Sequence, residues 1–168
     1  KQADRDGAVE LIQEAKGLAK AQWGIESRVY GDICQQEGRY LERMGEYKKA
    51  LKAYQSAVEA RQNTMPQVPG DLAESLKSLA TVSRTLGKYG SAISSMTSLV
   101  QLMERGDFID KDGLYDGYAE LARLYREIGH FAKADSFYIN ASDLPEKNGT
   151  PMPVSLPMLL HDWGRMCM

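Results

Sequence analysis

The sequence contains few of the residues that metal sites and disulfide frameworks require. Its 168 residues include only two cysteines, Cys34 and Cys167, and two histidines. Two cysteines cannot build a disulfide framework, and the absence of a CxxC spacing or a cysteine–histidine cluster predicts no metal site. The glycine-rich patterns that hold nucleotide phosphates are also missing, so we predict no cofactor.

The sequence also lacks an excess of one charge and any long apolar run. Lys and Arg total 21 against 23 Asp and Glu, giving a net charge of −2, whereas nucleic-acid-binding domains usually carry a basic excess. No apolar run approaches the roughly 18 residues that suggest a membrane-spanning helix. These absences predict no nucleic-acid partner and no insertion into a membrane.

One short sequence motif occurs three times at a constant interval. Its pattern is Gly-x-aromatic-x-x-Ala, and it occupies residues 45–50, 87–92 and 129–134. The glycines are separated by 87 − 45 = 42 and 129 − 87 = 42 residues. A large residue follows each alanine by four positions, and a small or apolar residue follows by seven: Tyr54 and Ala57, Met96 and Leu99, Tyr138 and Ala141. A fixed period of this size is typical of stacked repeats.

Each repeat divides into two amphipathic segments. In the middle repeat, apolar residues at helical spacing predict a first helix over 71–86, with Asp71 as its N-cap, and a second helix over 89–104. Gly87 between them suits a tight turn, because glycine readily adopts a left-handed backbone. No segment shows the alternation of a β-strand. The sequence therefore predicts an all-α fold.

This pattern resembles the tetratricopeptide repeat, a helix–turn–helix unit with small residues at unit positions 8, 20 and 27. When Gly31, Ala73 and Tyr115 are position 1, those positions hold Gly38, Ala50 and Ala57; Ala80, Ala92 and Leu99; and Ala122, Ala134 and Ala141. The period of 42 exceeds the usual length of about 34 residues. It is similar to the extended variants of bacterial regulators and kinesin light chains.

The resemblance implies a right-handed α-solenoid, a superhelix of stacked antiparallel helix pairs that forms one array over 1–168. We assign 1–30 to the trailing helix of a preceding repeat, 31–72, 73–114 and 115–156 to repeats, and 157–168 to the first helix of a further repeat. Further repeats or a partner chain are then expected at the ends. The chain begins at Lys1, which we interpret as a processed or partial chain; a cytoplasmic location is favoured, and a secreted or periplasmic one stays open.

For function, the resemblance implies a non-catalytic protein–protein interaction scaffold rather than an enzyme. In the family, the first helices line a concave groove that holds a peptide or a partner helix, through unit positions 2, 5, 9, 12 and 13. The residues predicted to bind a partner there are Gln35, Arg39, Lys77, Arg84, Arg123, Arg126 and Arg165. Because the planar guanidinium of arginine suits carboxylates, an acidic partner is predicted.

Several alternatives stay open. The groove arginines could pair only with acids of neighbouring helices, in a structural ladder of ion pairs. The array could be the regulatory or sensor input domain of a larger signalling protein, such as a sensor kinase or a transcription regulator. An enzyme built on an α-solenoid is a weaker alternative, because His130 and His161 have no catalytic set beside them in the sequence. Among the aromatic residues, Tyr47 and Phe131 fall on core positions, whereas Tyr40 and Tyr115 are expected to be exposed.

Overall fold

The computed structural model describes residues 2–65, 67–105, 111–148, 161, 163 and 164. In these ranges there are seven helices and no strand: α1 (Gln2–Trp23), α2 (Arg28–Arg43), α3 (Tyr47–Asn63), α4 (Pro69–Thr85), α5 (Tyr89–Glu104), α6 (Lys111–Glu127) and α7 (Phe131–Asn148). The predicted all-α class is confirmed. We call α2, α4 and α6 first helices and α3, α5 and α7 second helices. The chain forms two compact units, unit 1 (Lys1–Gly87) and unit 2 (Lys88–Met168).

Glycines with a left-handed backbone end the first helices. Gly45 follows α2 with a φ of 76°. Its N–H donates to the carbonyl of Glu42 at 2.9 Å, and the N–H of Glu46 donates to the carbonyl of Leu41 at 2.9 Å. This pair of bonds satisfies carbonyls that the end of a helix leaves without partners. Gly129 ends α6 in the same way, so the repeated glycine marks a true structural boundary.

The prediction for α5 is confirmed at both ends, whereas α4 differs from its prediction. The helix α4 begins at Pro69, and Val68 rather than Asp71 holds the N-cap position. Proline suits the first turn, because its fixed φ matches the helix and its missing N–H would have had no partner there. Asp71 lies within that turn, and its Oδ2 is 2.9 Å from Nε of Arg28.

The contact between α2 and α3 is made of small residues around one tyrosine. Ala50 and Ala57 are fully buried, and Tyr54 is 1% exposed. Gly38 lies directly against the tyrosine ring, because a β-carbon built on Gly38 would be 2.4 Å from Cε1 of Tyr54. The hydroxyl of Tyr54 donates to Oε2 of Glu42 at 2.7 Å. The ring can therefore be buried without leaving its polar end unsatisfied.

The helix α1 packs on α2 through a face made mainly of alanine. Ala19 is 1% exposed, and Ile12 and Ala15 are half-buried on the same side of the helix. Leu11 and Leu18, which bring more apolar surface, are 67% and 61% exposed. A polar cluster adds to the contact, because Nζ of Lys16 lies 2.6 Å from Oε2 of Glu37. The attachment of α1 thus relies on little apolar burial.

Unit 2 has a corresponding core between α6 and α7. Its fully buried members are Ala122, Ala134, Tyr138 and Ala141. Tyr115 belongs to the same cluster and is 2% exposed, so the prediction that it is exposed is wrong. The reason is that Tyr115 lies one helical turn before buried Ala119, on the same face. Trp163 covers this core, with its ring centroid 6.3 Å from that of Tyr138.

Two aromatic residues placed in the core by the repeat pattern are exposed. Tyr47 is 38% exposed and Phe131 is 57% exposed, so this prediction is wrong. Each is the first residue of a second helix, where no preceding helical turn shields the ring. Tyr40, by contrast, is half-buried rather than exposed.

Tyr118 is expected to make unit 2 less stable as the pH rises above 10. Burial, together with the hydrogen bond from its hydroxyl to Glu104, raises the pKa of Tyr118 to about 12, compared with an ordinary value of 10.0. The folded chain therefore holds this proton more tightly than the unfolded chain. The resulting stabilisation is complete below pH 10 and is lost as the pH rises towards 12. We expect the free energy of unfolding to decline over that interval, as measured by urea denaturation at stepped pH.

The variants Tyr118→Phe and Glu104→Gln isolate this effect. Tyr54 also has a raised pKa, from burial and its bond to Glu42, but it is present in all three proteins and its contribution cancels in the comparison. The phenylalanine variant should show a shallower decline, and the glutamine variant should release the Tyr118 proton at a lower pH. A decline of equal steepness in the wild type and Tyr118→Phe would contradict the assignment.

Candidate functional site

The predicted partner-binding residues of unit 1 that reach solvent are three cations on α2 and α4. Arg39, Lys77 and Arg84 all have exposed side chains. Lys77 and Arg84 are seven residues apart, which is about two helical turns, so they share one face of α4. No acidic residue occurs between Glu74 and Glu104. The later turns of α4 consequently present positive charge without a negative neighbour on the same helix.

Gln35 does not belong to this exposed set. It is fully buried, and its Nε2 donates to Oγ of Ser78 at 3.0 Å. Its Oε1 accepts a hydrogen bond from Oγ of Ser75, also at 3.0 Å. Because these bonds join α2 to α4, the side chain lies out of reach of a partner. Gln35 is thus corrected from a partner-binding residue to one that fixes two first helices together.

Arg39 has an acidic neighbour on the next first helix. Its guanidinium donates to the carboxylate of Glu74, and the side chains are 46% and 40% exposed. An exposed pair of this kind contributes about 0–1 kcal/mol, so a carboxylate of a partner could compete for the arginine. Within the described part of the chain, Lys77 makes no ion pair. The structure therefore contains one ion pair of the kind that the ladder alternative predicts, between Arg39 and Glu74. Lys77, on the same helix as Glu74, does not belong to it.

The predicted cations of unit 2 are less accessible. Arg123 and Arg126 are half-buried on α6, and Nη1 of Arg123 is 3.6 Å from Oε2 of Glu120 on the same helix. Both arginines take part in further contacts, as does Arg84 of unit 1, so burial rather than pairing is what separates the two sets. Arg165 lies outside the described residues. The stronger candidate face is thus that of unit 1.

Arg61 on α3 is an important polar residue that our sequence analysis does not identify. Its side chain is 6% exposed. Nη1 donates to the carbonyl of Asp71 at 2.7 Å and to Oγ of Ser75 at 2.6 Å, and Nη2 donates to Oδ1 of Asp32 at 2.8 Å. The signal is present in the sequence, because Arg61 lies seven residues after Tyr54 and so shares its buried helical face. Through these bonds one guanidinium connects α2, α3 and α4.

The structure describes one cysteine side chain, which is buried, and both histidine side chains, which are exposed. Burial raises the pKa of the Cys34 thiol, so this cysteine packs as a neutral group. His130 is exposed and its ring centroid is 6.3 Å from that of Tyr125. His161 is exposed, and Cys167 lies outside the described residues. The residues with described positions contain no group of three side chains able to hold a metal ion.

Among the helices that the structure describes, none combines the length and the apolar composition needed to cross a bilayer.

Comparison with protein families identifies the repeat. Two models of the tetratricopeptide repeat match the chain, at residues 31–64 and 118–152. The first match begins where we place a repeat boundary. The matches span 64 − 31 + 1 = 34 and 152 − 118 + 1 = 35 residues, so the 42-residue period stays a prediction. No curated protein matches the sequence.

Solved structures share the fold at low sequence identity. BtubC (BKLC) from P. vanneervenii superposes with a TM-score of 0.68 at 16% identity, over 98% of this chain and 65% of that one. A Podosopora anserina protein described as a kinesin light chain with nearly identical TPR-like repeats gives a TM-score of 0.76 at 16% identity, over 98% and 78%. A single-substitution variant of it gives 0.76 at 15% identity with the same coverage. The present chain thus spans 65% of the length of BtubC.

These comparisons agree with the helix pairs and the glycine turns. The predicted class, an α-solenoid of stacked helix pairs, is confirmed by the TPR-like structures. Such repeats are typically non-catalytic scaffolds, and they imply protein partners. The chain thus carries tetratricopeptide repeats over residues 31–64 and 118–152 and shares the TPR-like fold of the solved structures.

Proposed function

We propose that the chain is a non-catalytic scaffold that binds an acidic peptide or partner helix in a concave groove lined by its first helices. The observation that carries this proposal is the set of exposed cations Arg39, Lys77 and Arg84 on two adjacent first helices of unit 1. Lys77 is the central member, because it is exposed and makes no ion pair within the described part of the chain. We call this set the basic face.

The helices that carry the basic face are held rigidly. Gln35 joins α2 to α4 through two hydrogen bonds of 3.0 Å. Arg61 adds bonds from α3 to both helices. A surface that is already ordered before binding loses less conformational entropy when a ligand arrives. This rigidity supports recognition by charge and spacing together.

The spacing on α4 suggests the form of the ligand. Seven residues of helix separate Lys77 from Arg84, which corresponds to about 10 Å along the axis. An extended peptide covers that length with about three residues. Two carboxylates three positions apart would therefore match the two cations when the peptide runs along α4.

The double variant Lys77→Glu/Arg84→Glu tests the basic face. We expect it to bind a fluorescent pool of Asp- and Glu-rich peptides at least tenfold more weakly than the wild type, as measured by fluorescence anisotropy. The reason is that two attractive charges become repulsive while no ion pair of Lys77 is broken. A tenfold change corresponds to about 1.4 kcal/mol, which two contacts at the rim of an interface can supply.

Two further variants separate binding from the ladder alternative. Lys48→Glu/Lys52→Glu makes the same charge change on exposed positions of α3, and we expect it to bind nearly as well as the wild type. Arg39→Gln removes the ion pair with Glu74 without placing a cation beside Arg61; lower stability with unchanged peptide binding in this variant would favour the ladder. Equal losses from the α3 variant and from Lys77→Glu/Arg84→Glu would overturn the proposal, because net charge alone would then explain the binding.

A further inference from the structure

Unit 1 contains a small cavity that does not include any residue of the basic face. Its volume is about 70 Å³, and its lining includes Ile25, Glu26, Tyr30, Ser56, Glu59 and Asn63. The cavity lies where the turn between α1 and α2 and the start of α2 meet the second half of α3. We call it the acidic pocket.

The wall of the acidic pocket formed by the α1–α2 turn is held in place by hydrogen bonds. Oγ1 of Thr64 donates to the carbonyl of Glu26 at 2.7 Å, which ties the turn to the end of α3. Oγ of Ser27 donates to the carbonyl of Gly24 at 2.8 Å and accepts the N–H of Tyr30 at 3.3 Å. The pocket is therefore formed before any ligand arrives, and binding requires little ordering of the turn.

Two carboxylates give the pocket its charge. Glu26 and Glu59 are exposed, and neither makes an ion pair within the described part of the chain. The nearby ammonium of Lys16 lies 5.8 Å from the centroid of the Tyr30 ring. It is neutralised by Glu37, whose Oε2 is 2.6 Å away. The charged residues that line the pocket are thus both acidic.

Exposed apolar residues occur in the lining of the pocket and next to lining residues in the sequence. Ile25 in its lining is 48% exposed. Trp23, two residues earlier, and Val29, one residue before Tyr30, are 55% and 41% exposed. Partly exposed aromatic and aliphatic residues around a small pocket are the usual setting of a side-chain anchor in a protein interface. Two acidic lining residues and exposed apolar residues nearby in the sequence favour an occupant with an apolar stem and a cationic head.

We propose that the acidic pocket receives an arginine side chain of a protein partner. A guanidinium is planar and presents several N–H donors, so it can pair with both glutamates while its methylenes contact Ile25. A cavity of about 150 Å³ is known to hold benzene, so a volume of about half that suits a guanidinium better than an aromatic ring. This inference goes beyond the proposed function, because it adds a second partner contact of opposite charge on other residues.

The test uses the tripeptide acetyl-Leu-Arg-Leu-amide and the whole chain. We expect it to shift the backbone amide NMR signals of Ile25, Tyr30 and Asn63 in a saturable way. The same tripeptide with citrulline in place of arginine has nearly the same shape without the charge and should bind at least tenfold more weakly. The lysine tripeptide should also bind more weakly, because an ammonium lacks the planar fork.

Neutralised variants assign the response to the pocket. Glu26→Gln/Glu59→Gln should weaken binding of the arginine tripeptide at least tenfold. The matched control Glu10→Gln/Glu14→Gln neutralises two exposed carboxylates on α1 and should leave binding unchanged. An equal response to citrulline or lysine, or an intact response in Glu26→Gln/Glu59→Gln, would overturn the proposal. None of these results bears on the basic face, whose test uses acidic peptides and other residues.

Discussion

Replacing Gly38 with alanine is expected to lower the free energy of unfolding of unit 1 by about 3 kcal/mol, near the upper end for overpacked cores. The added methyl group would lie 2.4, 2.5 and 2.9 Å from three ring carbons of Tyr54. The ring cannot move aside easily, because Tyr54 is almost fully buried and its hydroxyl is bonded to Glu42. The helices α2 and α3 would have to separate. Urea denaturation followed by circular dichroism measures the loss.

The control for this prediction is the same change where there is space. Gly17 lies in α1, and a β-carbon built on it meets nothing within 4 Å. Gly17→Ala should therefore be neutral or stabilising by up to about 1 kcal/mol, because alanine has the higher helix propensity. If Gly38→Ala unfolded at the same urea concentration as Gly17→Ala, the close approach of α2 and Tyr54 would be refuted.

Replacing Arg61 with methionine is expected to destabilise unit 1 by about 3 kcal/mol, since removing one member of a buried charged network leaves its partners without donors. Arg61 makes four contacts with α2 and α4, to Asp32, the Asp71 carbonyl, Ser75 and, at 3.6 Å, Glu74. Methionine keeps an unbranched apolar stem and removes every donor. The loss should appear as a lower midpoint of urea denaturation.

Two control variants show whether the loss of stability comes from the hydrogen bonds of Arg61. Arg43→Met removes an arginine from the last turn of α2, where it is exposed, and should change stability by less than about 0.5 kcal/mol. Arg61→Lys keeps the positive charge but lacks the planar guanidinium that bonds to two other helices at once. It should therefore be more stable than Arg61→Met and less stable than the wild type. A methionine variant as stable as Arg43→Met would show that the network contributes little.

The features that the sequence predicts well are those set by nearby residues. The second helix of the middle repeat begins and ends as predicted, at Tyr89 and Glu104, because helical periodicity and a turn glycine are both local signals. The start of α4 is displaced because Pro69 competes with Asp71 as a start signal. A proline at the first position and an acid in the first turn are both typical of helix starts, so the sequence alone does not rank them.

The candidate site depends on contacts between distant residues, and these were only partly predictable. Gln35 is polar and has the spacing of a groove residue, but its hydrogen bond to Ser78 joins residues 43 positions apart. Arg61 is charged, and its burial depends on Asp32 and Ser75 from two other helices. Buried polar groups need partners, and a single sequence does not state which partners packing will supply. The exposure of Lys77 and Arg84 was predictable, because both occupy the polar face of an amphipathic helix.

The alanine-rich contact of α1 has a consequence for amide hydrogen exchange. Cooperative segments of a protein open with different free energies, and the segments that bury little apolar surface open first. Ile12, Ala15 and Ala19 attach α1, while its two leucines stay in solvent. The amides of α1 should therefore exchange with deuterated water well before those of α2, which Gln35 and Arg61 fix to its neighbours. A second protein that covered Leu11 and Leu18 would slow that exchange, so the protection of α1 would report occupancy of this end of the chain.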